Sequence, residues 1–454
     1  MANLSAAVAT LPNDQSPVLY KPVAQRERIK TIDILRGVAL LGILLMNIPG
    51  FAMPDRFTDA FRNDPENINY RFHFFITVLF EGKMRALFSM VFGAGVLIFT
   101  TRKEQAGAGK WAVTGLYYRR MGWLILFGLI HAHVLLWLGD ILYIYGVCAL
   151  ILFWFRKLKP AWLLGIALAL GSFDAITGQL FYHHIREQRL AYLDVVAAEK
   201  LNKPITKTQQ EAKTAWLETA KEFIPDKAEI DKNTRLMRGN YTEVASHVRP
   251  FAFKIETNYL ILSIWDALGL MLLGMALFKW GFLTGQLPPR IYRRLLAVGY
   301  SLGIPIVVFS WWYGHQFPNT TAFLDSQPVS ISSLLYPIQR MLLVIAHVSV
   351  LILLIQAGVA KGVFRALGAV GQMAFSNYIL HTILCTLIFF GYGLGYFGHL
   401  QYYQLYAVVL GIWTVNILFS LLWLQRFQFG PLEWVWRSLT YWKRQPLRRS
   451  VEIE

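Results

Sequence analysis

The residues of this chain best suited to chemistry are ionisable side chains set inside apolar runs, where each is costly and therefore a functional candidate. His131 and His133 stand in GLIHAHVLLWLGD, and Asp140 closes that stretch after a Leu138-Gly139 turn. A histidine facing a carboxylate is an oriented general base at neutral pH. Asp140 also reads as an N-cap of the next helix, and His131 as a core histidine bonded to a backbone carbonyl; both alternatives stay open. His131 and His133 are two apart, so they point to different helix faces and do not chelate a metal as an i, i+4 pair would. Glu81, Lys83 and Arg85, in FEGKMRALFSM, read either as a snorkelling charge trio or as groups that bind substrate and stabilise an oxyanion. Asn47, Asp266 and His347 are further candidates for substrate contact. So is the i, i+4 pair Asn377 and His381, which reads equally as interhelical glue worth roughly 0.6 kcal/mol per bond. No phosphate-binding loop, GxSxG elbow, HExxH or Cys/His metal spacing occurs, which disfavours hydrolases and metalloenzymes of those kinds and implies no metal.

Such residues need a scaffold, and the composition says which. Of 454 residues, 55% are hydrophobic and 16% charged, against about 25% charged in soluble chains. An all-α, polytopic membrane bundle is predicted. Ten segments approach the roughly 20 apolar residues of a crossing: 35–53, 81–100, 117–135, 140–155, 161–181, 259–279, 292–312, 337–356, 370–391 and 403–424. Residues 72–80 read as an interfacial or re-entrant piece broken from the second crossing at Gly82. The net charge of +17 is distributed by side. Lys30, Arg36, Arg102, Lys103, Arg119, Arg120, Arg156, Arg293 and Arg365 fall on even-numbered sides, while the opposite short loops hold only Arg56, Arg62, Arg71 and Arg340. By the positive-inside rule both termini are cytoplasmic, and the charge is topological rather than a nucleic-acid footprint. The first 20 residues lack an apolar h-region, so the first span is expected to serve as the membrane signal. Cys148 and Cys385 lie in apolar runs, and no disulfide is predicted.

The expected organisation is a cytoplasmic segment at 1–30, transmembrane halves at 31–182 and 259–424, an extracytoplasmic loop at 183–258 and a basic cytoplasmic tail at 425–454. The long loop is mixed in charge, with 13 Lys/Arg and 11 Asp/Glu. Within it, 206–221 reads as a helix with Ala212, Ala215, Trp216 and Leu217 on one face. A small helical cap and a solvated linker are both open for this region.

Several stretches resemble the YeiB-like family of bacterial inner-membrane proteins: IDILRGVALLGILLMNI at 32–48, KMRALFSMVFGAG at 83–95, GLIHAHVLLWLGDILYIYG at 128–146, GQMAFSNYILHT at 371–382 and FGPLEWVWRSLTYW at 429–442. The first span also resembles the opening of transmembrane acyltransferases that acetylate heparan-type glucosamine, with their LD-x-LRG motif and an Asn-x-Pro-Gly-like exit at Asn47-Ile48-Pro49-Gly50. A second acyltransferase group places a histidine eleven residues after its Arg; here that position after Arg36 is Asn47. The resemblance implies an acetyl-CoA or other acyl-CoA donor held at the cytoplasmic mouth by Arg36, Arg119 and Arg120. It implies a glycan or lipid-linked acceptor on the far side, with His131 or His73 as base. Membrane lipids are the expected surroundings, and homo-oligomerisation is left open. A secondary transporter or flippase is the rival expectation, since ten spans divide into two halves of opposite orientation.

Overall fold

The computed structural model describes residues 28–54 and 60–449; most of the expected cytoplasmic segment 1–30, and Arg56, lie outside them. Among the described residues the secondary structure is helical, with one isolated β-bridge between Phe427 and Arg448. The helices are α1 (Lys30–Ala52), α2 (Ile68–Leu79), α3 (Lys83–Gln105), α4 (Lys110–His133), α5 (Leu142–Phe155), α6 (Pro160–Lys200), α7 (Lys207–Phe223), α8 (Lys227–Met237) and α9 (Tyr241–Glu256). They continue as α10 (Leu260–Lys279), α11 (Pro289–Gly314), α12 (Thr320–Ser326), α13 (Ile331–Gln356), α14 (Lys361–Gln372), α15 (Ala374–Phe389), α16 (Leu405–Arg426) and α17 (Pro431–Tyr441).

Each of the ten predicted segments falls on a helix, but they are unequal. Among the described residues seven stretches are long and apolar enough to cross a membrane, and an eighth is obtained by joining α14 to α15. The 14-residue α5 is short, about 21 Å at 1.5 Å per residue. α4 carries Lys110, Arg119 and Arg120 along its first half. The predicted span 370–391 is broken: α14 and α15 meet at 85° around Met373. Gly82, at φ 72°, does separate α2 from α3, although the two run on as one 38-residue apolar stretch.

α1, α3 and α10 form the centre. In α1 and α10, 67% of the most apolar stretch is buried within the protein, against 11% in α6, which is the pattern of inner helices and one that faces lipid. Two backbone crossings hold the centre together. A methyl group on Gly37 would overlap the Leu367 carbonyl, and one on Gly371 the Asp33 carbonyl, so α1 and α14 touch backbone to backbone. Gly93 of α3 and Gly274 of α10 make the same kind of contact, against the carbonyls of Met271 and Met90. Small residues permit this approach, which is how helices associate where no hydrophobic drive distinguishes them from lipid.

One end of the bundle is basic. There Arg156 pairs with Glu104 at 3.1 Å, the Lys279 ammonium donates to the Arg156 carbonyl at 2.8 Å, and the Trp436 indole donates to the Arg120 carbonyl at 2.9 Å. Trp111, Trp154, Trp162 and Trp442 are exposed beside these charges, as expected of an interfacial aromatic belt. The residues after 425, expected as a tail, include α17, which docks on α4 and α15. At the other end α7–α9 form a docked helical cap. Thr206 and Gln209 make a capping box at the start of α7. Trp216 is buried with Ile185 and Leu324, while Leu217 is exposed. α6 passes through the expected boundary at 182 without a break and reaches the cap as one 41-residue helix.

Candidate functional site

His131 occupies the last turn of α4 and is fully buried. Its Nδ1 lies 2.7 Å from Asp140 Oδ1, and its Nε2 lies 2.7 Å from Thr382 Oγ1 on α15. A carboxylate only accepts, so Nδ1 carries a proton, and in the neutral imidazole Nε2 is the acceptor of the Thr382 hydroxyl. The other Asp140 oxygen accepts from the Tyr143 backbone N–H at 2.8 Å. One Asp140 oxygen thus faces the imidazole and the other holds the start of α5, where the N-cap position itself is Ile141, one residue later than expected. Gly128 makes this possible, because a side chain there would collide with the Tyr143 backbone and approach Asp140 Oδ2 to 2.8 Å. Tyr378 packs edge-on against the imidazole at 5.0 Å and donates to the Gly139 carbonyl at 3.2 Å. The cap closes the group off: His133 pairs with Glu256 of α9 at 2.7 Å, and Arg249 donates to the His133 carbonyl.

A second polar group lies among α3, α10 and α13. Asp266 sits between Arg85, at 2.6 Å, and Arg340. Arg340, predicted as a loop charge, is 2% exposed within α13. The helix begins at Ile331, six residues before the predicted start, and carries Pro337 in its second turn without breaking. Lys83 is fully buried, and its ammonium donates to the Thr77 carbonyl at 2.8 Å rather than approaching His131. Glu81 accepts from the Tyr336 hydroxyl at 3.3 Å, and His347 bonds the Leu79 carbonyl at 2.8 Å.

The remaining candidates are scattered. His73 is ringed by Phe61, Trp311 and Tyr402, with centroids at 6.0, 4.8 and 5.3 Å. Asn377 donates to the Val370 carbonyl and to Ser420 of α16, an interhelical role. His381 is buried with Nε2 unpartnered, and Asn47 is half-buried near the end of α1.

At the basic end Arg36 pairs with Asp33 at 3.3 Å and Arg28 with the same carboxylate at 2.9 Å. Arg120 lies 3.6 Å over the Trp436 ring, and Arg119 faces Trp442 instead. Arg437, on α17, completes the group. Burial lowers its pKa to about 10; Tyr441 and Glu433 act in the opposite sense, and the cations Arg28 and Arg36 reinforce the lowering. A guanidinium stays charged regardless, so Arg437 stands as a cation beside Arg28, Arg36 and Arg120, with Asp33 and Glu433 as the carboxylates among them. Glu433 is occupied in capping α15: it accepts from the Phe375 and Ser376 N–H groups at 2.7 and 3.2 Å. Its own pKa is raised by burial against those hydrogen bonds. Thr382 and Arg437 are not among the residues that the sequence singles out, and Arg340 is expected only as a loop charge. Only Thr382 had a local signal, adjacent to His381 in SNYILHT. Among the described residues no group of three or more His, Cys, Asp or Glu is assembled for a metal ion.

Fold and polar groups together define a multi-pass α-helical membrane protein with charge buried at two places in its bundle. Residues 277–443 match a family described as "Protein of unknown function (DUF418)". Over 425 residues the chain is 31% identical to "Uncharacterized protein YeiB" of Escherichia coli (strain K12), covering 91% of this chain and 96% of that one. It is 28% identical to "Uncharacterized protein YxaH" of Bacillus subtilis (strain 168) over 449 residues, covering 95% and 99% of the two chains. The chain belongs to this YeiB-like family. No solved structure matches it.

Proposed function

We propose that the chain is a bacterial inner-membrane acyltransferase, moving an acetyl or other acyl group from cytoplasmic acyl-CoA to a glycan or lipid-linked acceptor on the opposite side. The observation that carries this reading is the Asp140–His131–Thr382 chain, an imidazole with a fixed tautomer and its basic nitrogen on a hydroxyl. In this mechanism the acceptor hydroxyl or amine attacks the thioester carbonyl. Its proton passes through Thr382 to His131 Nε2, the C–S bond breaks, and the proton returns to the departing thiolate. Asp140 stabilises the imidazolium between those events. The Arg28, Arg36, Arg120 and Arg437 cluster suits the phosphates of the donor, four guanidinia against the carboxylates of Asp33 and Glu433. Access to His131 requires α9 to lift.

Acetyl-CoA titrated into purified protein should raise the melting temperature, and His131→Gln should reduce acyl transfer by about 10²- to 10⁴-fold while the protein melts as before. Unchanged transfer in His131→Gln moves the base to His73; no stabilisation by any acyl-CoA sinks the enzyme reading. A secondary transporter or flippase is favoured by one observation, a cavity of about 500 Å³ walled by α2, α6, α11 and α13. Substrate-dependent flux in proteoliposomes would carry that reading.

A further inference from the structure

The cavity shares no residue with the His131 group, and its lining is distinctive. Ser310 Oγ and Gln339 Oε1, on residues only 8% and 4% exposed, line it without any hydrogen-bond partner. A buried polar atom left unpaired costs about 1–3 kcal/mol, and two converging on one space point to a ligand that supplies the missing bonds. Glu81 and Asp174 add carboxylates, which can only accept. His315 bonds the Trp311 carbonyl through Nδ1 at 2.8 Å, so Nδ1 carries the proton and Nε2 of the neutral ring is a further acceptor. Burial holds that ring below the usual histidine pKa of 6.5, against the Trp311 hydrogen bond. Trp311, Phe181 and Tyr336 supply aromatic surface.

The charge around this space decides the ligand's own. No Lys or Arg lines the cavity, so an anion has no partner in the wall. Both carboxylates have cations close by: Lys83 acts on Glu81, Arg85 and Arg340 act on Asp174, and the Arg85–Asp266–Arg340 group beside Tyr336 has one positive charge in excess. A cation is therefore not called for either. What remains is a neutral molecule with several O–H donors and an apolar C–H face.

We propose that this cavity binds a neutral polyhydroxylated ligand of monosaccharide to disaccharide size, at a site separate from the His131 group. The binding holds whether or not the chain transfers an acyl group. The test uses the full chain in lipid nanodiscs, which avoids sugar-headed detergents, and saturation-transfer NMR. Methyl glucoside, methyl galactoside and methyl mannoside are titrated beside glucuronate and glucosamine. At least one neutral glycoside should bind saturably, about tenfold or more tighter than either charged sugar. Gln339→Leu and Asp174→Asn should each weaken that binding by about tenfold in protein that melts like the parent. Tighter binding of glucuronate or glucosamine, no saturable binding of any of the three glycosides up to about 100 mM, or undiminished binding in both folded variants overturns the proposal. The His131→Gln protein should bind the glycoside as the parent does, which separates failure here from failure of the acyl-transfer reading.

Discussion

At the scale of single residues, buried charge dominates. Asp266 holds two guanidinia, and Arg340 is almost wholly enclosed. Removing the shared carboxylate leaves two cations without a partner, so Asp266→Asn should destabilise by roughly 3–5 kcal/mol, visible as a large fall in melting temperature or as loss of folded protein. His315 makes the opposite kind of prediction. Burial lowers its folded pKa below the ordinary 6.5, so the unfolded chain binds more protons as the pH falls. The stability from this neutral ring is present above about pH 6.5 and is lost on acidification towards the folded pKa. Melting curves between about pH 7.5 and 5 should decline, and His315→Gln should flatten that decline; an unchanged slope would assign it to other groups. The legibility of these sites follows sequence distance. His131 and Asp140 are nine residues apart across one turn, and the sequence pairs them. Thr382 is 251 residues from His131 and Arg340 is 74 from Asp266, so only the packing of the helices brings them in. Arg340 was further disguised by Pro337, which reads as a helix start but sits inside α13.

Among the elements, the helix axes follow from apolar runs and were largely legible, whereas bends and crossings were not. The break between α14 and α15 arises where Gly371 lies against the Asp33 carbonyl of α1, and nothing in GQMAFSNYILHT announces that neighbour. Gly371→Ala should separate α1 from α14 and cost roughly 1–3 kcal/mol. Gly411→Ala, with open space around it, should leave the melting temperature unchanged, and equal behaviour of the two variants would refute the backbone contact. The α7 helix was the most legible element of the cap, because Thr206 and Gln209 form a local capping box. It docks through Trp216, which packs with Ile185 of α6 and Leu324 of α12 and lies 5.2 Å from the Arg189 guanidinium, itself paired with Asp325 of α12 at 2.9 Å across 136 residues.

For the whole molecule, the charge pattern makes a topological prediction. Lys207, in the cap, and Lys361, at the start of α14, are exposed. With cytoplasmic termini, a membrane-impermeant maleimide should label Lys207→Cys in intact cells and Lys361→Cys only after permeabilisation; the reverse pattern would invert the topology. Background is low, since Cys148 and Cys385 are fully buried. The uninterrupted α6 then has a mechanical consequence. Its middle supplies Asp174, Thr177, Gly178 and Phe181 to the cavity wall, and its far end carries Ile185 and Arg189 into the packing of the cap. A helix of 41 residues is about 60 Å long and contains no proline beyond its first turn, so it acts as a lever with its load at one end. A displacement of the cap therefore has one unbroken helix through which to reach the cavity wall.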